Sequence, residues 1–136
     1  MGILPDSGAA AERLEREAVA WLTTVTEIGQ PQSSAVWFLV HDGAIYVQSQ
    51  PGAAKVTNIR ANRRVSLHLN SDAAGGNVVT VDADAEVLDG FPPGVRGPYL
   101  AKYERRIREE LQMTPEQVIA DYSTTVRITA RRVRSW

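Results

Sequence analysis

The sequence predicts a mainly-β protein: an antiparallel sheet of about six strands, closed into a small barrel and carrying a few short helices. Three observations predict it. Runs such as VVTVDADAEV alternate apolar and polar residues with period two, as strands with one covered face do. Asp42-Gly43 separates two β-branched and aromatic runs, and a type I′ hairpin turn needs residues that tolerate positive φ at both central positions. Helical periodicity is confined to short segments. Closure of such a sheet removes its exposed edges.

Residues 1–8 read as a loose lead-in. Ala9 to Glu17 is Ala-rich with close opposite charges and predicts a helix, with Leu14 and Ala18 four apart for the core. VAWLTTVTEIG is the first strand, stopped by Gly29-Gln30-Pro31. QSSAVWFLVH is the second, apolar from Ala35 to Val40 as expected where both faces are covered. The Asp42-Gly43 turn leads to AIYVQSQ, the third strand. Pro51-Gly52 ends it, Ala53–Ala61 is a short helix, and VSLHLN is the fourth strand. A polar turn, Ser71 to Gly76, precedes the long fifth strand, NVVTVDADAEVLD. A loop with three prolines spans Gly90 to Pro98. Tyr99–Leu111 is an amphipathic helix, with Leu100, Tyr103, Ile107 and Leu111 at 3–4 spacing. Thr114-Pro115-Glu116-Gln117 opens another helix, running to about Asp121, with near capping-box chemistry. TTVRITARRVRSW is the last strand.

The 136 residues suit one domain, 1–136, with a real core. A net charge of -1 gives no global attraction to nucleic acid or anionic membrane. The sequence has no cysteine, which excludes disulfides, thiol catalysis and cysteine-ligated metals. No apolar run approaches the roughly 20 residues of a membrane span, and no signal-peptide pattern stands at the start. The expected location is the cytoplasm.

Lys55 carries the clearest chemistry. It falls just inside a helix start after Gly52, where backbone N–H groups lack partners and the macrodipole is positive, an environment that suits phosphate. An ordinary surface lysine fits the same pattern. Trp37 and Phe38 are adjacent on a strand, so they point to opposite faces: one to the core, the other to a ligand, partner or solvent. His41 and His68 are the only imidazoles and predict no metal site. Ser33, Ser34 and Ser49 lack the nucleophile-elbow and relay patterns of hydrolases. Asp82, Asp84 and Glu86 read as the wet face of a sheet. The arginine clusters 105–108 and 131–134 read as solvated faces paired with acids, or as a subsite for an acidic ligand tail.

Four segments in order carry a family resemblance: WLTTVTEIGQPQSSAVWFLVHDGAIYVQSQ, GAAKVTNIRANRRVSLHL, GNVVTVDADAEVLD and YSTTVRITARRVRSW. Together they resemble the flavin/deazaflavin oxidoreductases of the split β-barrel (FMN-binding-like) superfamily related to pyridoxamine 5′-phosphate oxidase. The look is nearest to the coenzyme F420-dependent actinobacterial branch. The resemblance implies a homodimer with cofactor sites at its interface and hydride transfer between the cofactor and a small organic substrate. It places Lys55 at the cofactor phosphate, with backbone amides around Ala54, and with Asn58 and Arg60 near. It lays Ser34, Ala35, Val36, Trp37 and Phe38 along the ring and Ser49 near the ribityl and phosphate end. Asn77, Val78 and Val79 are brought to the ring by the second subunit. FMN-binding members often carry Ser-Arg before the lysine; Ala53 and Ala54 stand here, which favours F420 over the alternative, FMN. A non-catalytic carrier or tetrapyrrole-binding barrel is the further alternative. No side chain is assigned a catalytic role, because reduced deazaflavin is itself the hydride donor.

Overall fold

Seven antiparallel strands form one sheet, in the order β2-β1-β5-β6-β7-β4-β3. The structure, a computed structural model, describes residues 3–136; the first two residues of the expected lead-in lie outside the described residues. In chain order the elements are α1 (Ala9–Arg16), β1 (Val19–Val25), β2 (Pro31–Trp37), β3 (Leu39–His41), β4 (Ala44–Ser49), α2 (Ala54–Ala61), β5 (Arg64–His68), β6 (Val79–Asp89), α3 (Arg96–Glu109), α4 (Pro115–Asp121) and β7 (Thr124–Ser135).

The mainly-β barrel class is as the sequence predicts. The strand count differs by one, and the reason is physical. The second predicted strand is split at Phe38. Its first part, β2, pairs with β1, and its second part, β3, pairs with β4. The two edges of the sheet are therefore one run of chain, and the sheet curls until its ends meet at Phe38. The Asp42-Gly43 turn has φ of 47° and 76°, as a type I′ hairpin requires.

Alternation along this run builds two cores. Val36 and Phe38 enter the barrel with Leu22, Ile45, Val47, Leu67, Val81, Val126 and Ile128. Trp37 and Leu39 face the other way, into a cluster with Tyr46, Tyr99, Tyr103, Ile107 and Val118 under α3 and α4. Phe38 is thus the core residue of the Trp37–Phe38 pair. Truncating it to alanine is expected to cost about 3–5 kcal/mol.

Three boundaries shift by local chemistry. Helix α3 begins at Arg96 and takes in Pro98, because the first turn has no use for the missing N–H. It ends before Gln112, which adopts φ 53°. Strand β6 begins at Val79, since Asn77 has φ 54°, although Val78 still pairs through N–H and C=O with Trp136. At α4 the capping box forms as expected: Thr114 Oγ1 accepts from the Gln117 N–H at 3.1 Å, and Gln117 Oε1 from the Thr114 N–H at 2.8 Å.

The outer face of β6 and β7 is paired charge. Arg134 reaches Asp82 at 3.0 Å, Arg131 reaches Asp84 at 3.0 Å, and Arg127 bonds Glu86. On α3, Arg105, Arg106 and Arg108 pair with Glu109, Glu110 and Glu104 at four-residue spacing. Exposed pairs of this kind contribute little stability.

Candidate cofactor cleft

A cleft of about 290 Å³ lies between the barrel wall and the α3–α4 pair. The end of β2 supplies Ala35, Val36 and Trp37. The end of β4 supplies Gln48 and Ser49, and the following turn supplies Ala53 and Lys55. Tyr99, Leu111, Val118 and Tyr122 form the helical wall.

Lys55 is the second residue of α2 and is half-buried. Burial lowers its pKa below the ordinary lysine value, and it makes no ion pair or hydrogen bond among the described residues. Ala53, the N-cap, offers no side chain to the helix start. The N–H groups of Ala54 and Lys55 therefore remain available beside the ammonium. A desolvated cation and free amides at a helix N-terminus are an arrangement that suits an anion.

Trp37 has its back fixed. Its ring stacks on Tyr103 with centroids 4.5 Å apart and planes 2° from parallel. The Gln48 amide is tied at both ends: Nε2 donates to the Tyr122 carbonyl at 3.1 Å, and Oε1 accepts from Thr125 Oγ1 at 2.7 Å. Ser49 is buried and donates to the Gln50 carbonyl at 2.9 Å.

The cleft thus gathers Ala35, Val36, Trp37, Ser49 and Lys55 of the expected site residues. Ser34 is half-buried on β2 but does not line the cleft. Phe38 is in the barrel core. Ala54 and Arg60 are exposed on α2. Asn58 is buried, with its amide donating to Thr24 Oγ1 and Gln32 Oε1, both at 2.9 Å. Asn77, Val78 and Val79 border a separate hollow with Arg13 and Trp136. Arg13 holds that corner by donating to the carbonyls of Asn70, at 2.6 Å, and Asn77. Neither histidine lines the cleft: His41 lies 3.3 Å from the Asp42 carboxylate, and His68 Nδ1 lies 3.0 Å from the Leu69 carbonyl. Sequence reasoning missed Gln48 and the entire helical wall. Tyr99 read only as a helix residue and Tyr122 only as the start of the closing segment, and nothing local says that the helices fold over β4.

A closed barrel whose wall is split beside a cation-ended cleft defines a split-barrel protein. The family model for pyridoxamine 5′-phosphate oxidase matches residues 7–136, and the chain belongs to that family. Among solved structures, a conserved hypothetical protein of Mycobacterium tuberculosis is similar, with 27% identity, TM-score 0.72, and coverage of 96% of this chain and 85% of that one. An F420 reductase shares the fold at 21% identity and TM-score 0.66, over 90% of this chain and 94% of its own. So does an FAD-binding protein of Mesorhizobium loti, at 22% identity and TM-score 0.66, over 90% and 85%. None of the curated proteins matches the sequence. Among the described residues, no helix is long and apolar enough to cross a membrane.

Proposed function

We propose that the protein is a cytoplasmic oxidoreductase that binds coenzyme F420 in this cleft and transfers hydride between it and a small organic substrate. The observation that carries the reading is Lys55: an unpaired, half-buried cation beside free helix amides, at one end of a cleft walled by Trp37, in a chain of this family. The residues fit the group. Lys55 Nζ and the amides of Ala54 and Lys55 would hold the cofactor's phosphate, and Ala35–Trp37 would flank its ring. When bound, the deazaflavin supplies the hydride chemistry. The chain's own residues bind and orient. Trp37, held by Tyr103, gives a flat wall. Val36 and Val118, both buried, exclude water, which strengthens the electrostatic hold on the anionic end. Ala53 and Ala54 add no polar contacts, and this favours F420 over FMN.

A cleft of about 290 Å³ is at the small end of ligand sites. That supports a homodimer in which a second copy completes the site, with Asn77–Val79 as the contributed segment. Titration of the purified protein with F420 and with FMN tests the reading. Binding of F420 is expected; tight FMN with no detectable F420 would transfer the assignment to a flavin enzyme on the same fold. Bound, reducible cofactor without turnover on any acceptor would favour a carrier.

A further inference from the structure

The helical wall of the cleft contains a buried polar group with no structural task. Tyr99 is 3% exposed. Its ring packs edge-on to Phe91, with centroids 5.6 Å apart, and near Tyr103 at 5.1 Å. Its hydroxyl makes no hydrogen bond among the described residues, unlike that of Tyr103. The only fully enclosed, unpartnered side-chain atoms among those residues are Thr80 Oγ1 and Asp84 Oδ1. The Tyr99 hydroxyl therefore keeps a sliver of accessible surface, and Tyr99 lines the cleft.

A buried hydroxyl without a partner costs free energy, and such groups are rare unless a ligand completes them. Burial, with the phenols of Tyr103 and Tyr122 nearby, raises the Tyr99 pKa, so the hydroxyl keeps its proton and acts as a donor at physiological pH. The rest of the cleft presents donors too. Lys55 Nζ and Trp37 Nε1 have no partner, whereas the Gln48 carbonyl oxygen is already occupied by Thr125. The Tyr99, Lys55 and Trp37 donors, beside a Gln50 amide that can both donate and accept, suit a ligand that carries acceptors.

We propose that Tyr99 is a cofactor-binding residue, its hydroxyl donating to a carbonyl oxygen of a planar heterocyclic ring while Lys55 holds the anionic end of the same molecule. The inference rests on the cleft being the cofactor site. It adds a residue from α3 to a site that the sequence assigns only to β2, β4, α2 and the β5–β6 turn.

The test uses the full chain, the Tyr99→Phe and Lys55→Ala variants, and F420 and FMN as separate probes. Unliganded Tyr99→Phe is expected to unfold at the same temperature as wild type or higher, because no protein bond is lost. Its affinity for the bound probe is expected to fall about fivefold to tenfold, the loss of one neutral hydrogen bond. The visible absorption shift that accompanies binding should shrink with it. Unchanged affinity and spectrum in Tyr99→Phe, with weakened binding in Lys55→Ala, would overturn the role of Tyr99 and leave the cleft assignment standing. Wild type that binds neither probe would overturn the cleft assignment and this inference together. A Tyr99→Phe variant that fails to fold would show that the hydroxyl has a protein partner, and so would also overturn it.

Discussion

The Tyr103 hydroxyl closes the break in the barrel wall at Phe38. It accepts from the Phe38 N–H at 2.7 Å and lies within donating distance of the Phe38 carbonyl, at 2.8 Å, and the Ala18 carbonyl, at 2.7 Å. Phe38 belongs to neither β2 nor β3, so its backbone groups have no ladder partner. A buried N–H left that way is costly. One phenol on α3 replaces the missing strand neighbour, and the same ring backs Trp37 at 4.5 Å. The closure of the fold and a wall of the cleft therefore share one side chain.

Removing that hydroxyl should destabilise the protein without emptying the core. Tyr103→Phe keeps the ring and its stack on Trp37 but strands the Phe38 N–H. The expected loss is about 1–3 kcal/mol, read from the midpoint of urea unfolding. The contrast with Tyr99→Phe is sharp, since two tyrosines one helical turn apart respond oppositely. Equal stability of Tyr103→Phe and wild type would show that the seam is held by other groups.

Lys102 makes stability depend on pH. Its ammonium donates to the Phe38 carbonyl at 2.8 Å and sits 4.0 Å over the Phe38 ring. Burial lowers its pKa to about 8 from its ordinary 10.5, although Glu15 and Glu17 pull it back up. Between pH 8 and 10.5 the unfolded chain binds more protons at this residue than the folded one, so stability rises with pH across that window. Below pH 8 the cost of burying the charge is present in full. Above about pH 10 Tyr99 and Tyr103, whose pKa values are raised by burial, work in the other direction, and stability falls as the unfolded chain loses their protons. Lys102→Met should abolish the rise above pH 8. At pH 7 it should stabilise by about 1 kcal/mol once solvent screening of a partly exposed ammonium is allowed for. Thermal melts at pH 7, 8, 9 and 10 on both proteins check this.

The fold was legible because its signals are local. The period-two run of β6, the Asp42-Gly43 turn and the Thr114 capping box each act within a few residues. The split at Phe38 was not, because the strand reads as continuously apolar and the group that replaces its ladder bonds, Tyr103, is 65 residues away. The lining of the candidate cleft was half legible for the same reason. Lys55 sits at a helix start visible in sequence, and Trp37 must oppose Phe38 on any strand. Tyr99, Tyr122 and Gln48 join the site only when α3 and α4 fold across β4.

Asn58 separates structural from binding roles near the start of α2. Both protons of its amide are committed to Thr24 and Gln32, leaving only the carbonyl oxygen free, and an oxygen repels phosphate. Asn58→Ala should destabilise by about 1–3 kcal/mol, as Thr24 Oγ1 and Gln32 Oε1 lose a donor. Cofactor affinity per folded molecule should change by less than about twofold. Isothermal titration with F420, with the folded fraction fixed by circular dichroism, separates the two. A tenfold affinity loss in fully folded Asn58→Ala would place the side chain on the ligand.

Lys55→Ala should do the reverse. The ammonium makes no protein contact to lose, and its desolvation opposes the charged form, so stability should hold or rise slightly. Affinity for a phosphate-bearing cofactor should drop by about 1.5–3 kcal/mol, one charge-assisted contact. The loss should shrink as salt is raised to the extent that the site stays open to solvent. Lys55→Arg should recover only part of it, because a planar fork does not occupy the position of a compact ammonium. Adding the missing polar contacts, as Ala53→Ser with Ala54→Arg, should strengthen FMN binding by about 1 kcal/mol for each contact formed. Titrations of F420 and FMN against all three proteins check the set. Unchanged affinity in Lys55→Ala would move the anion site off the start of α2.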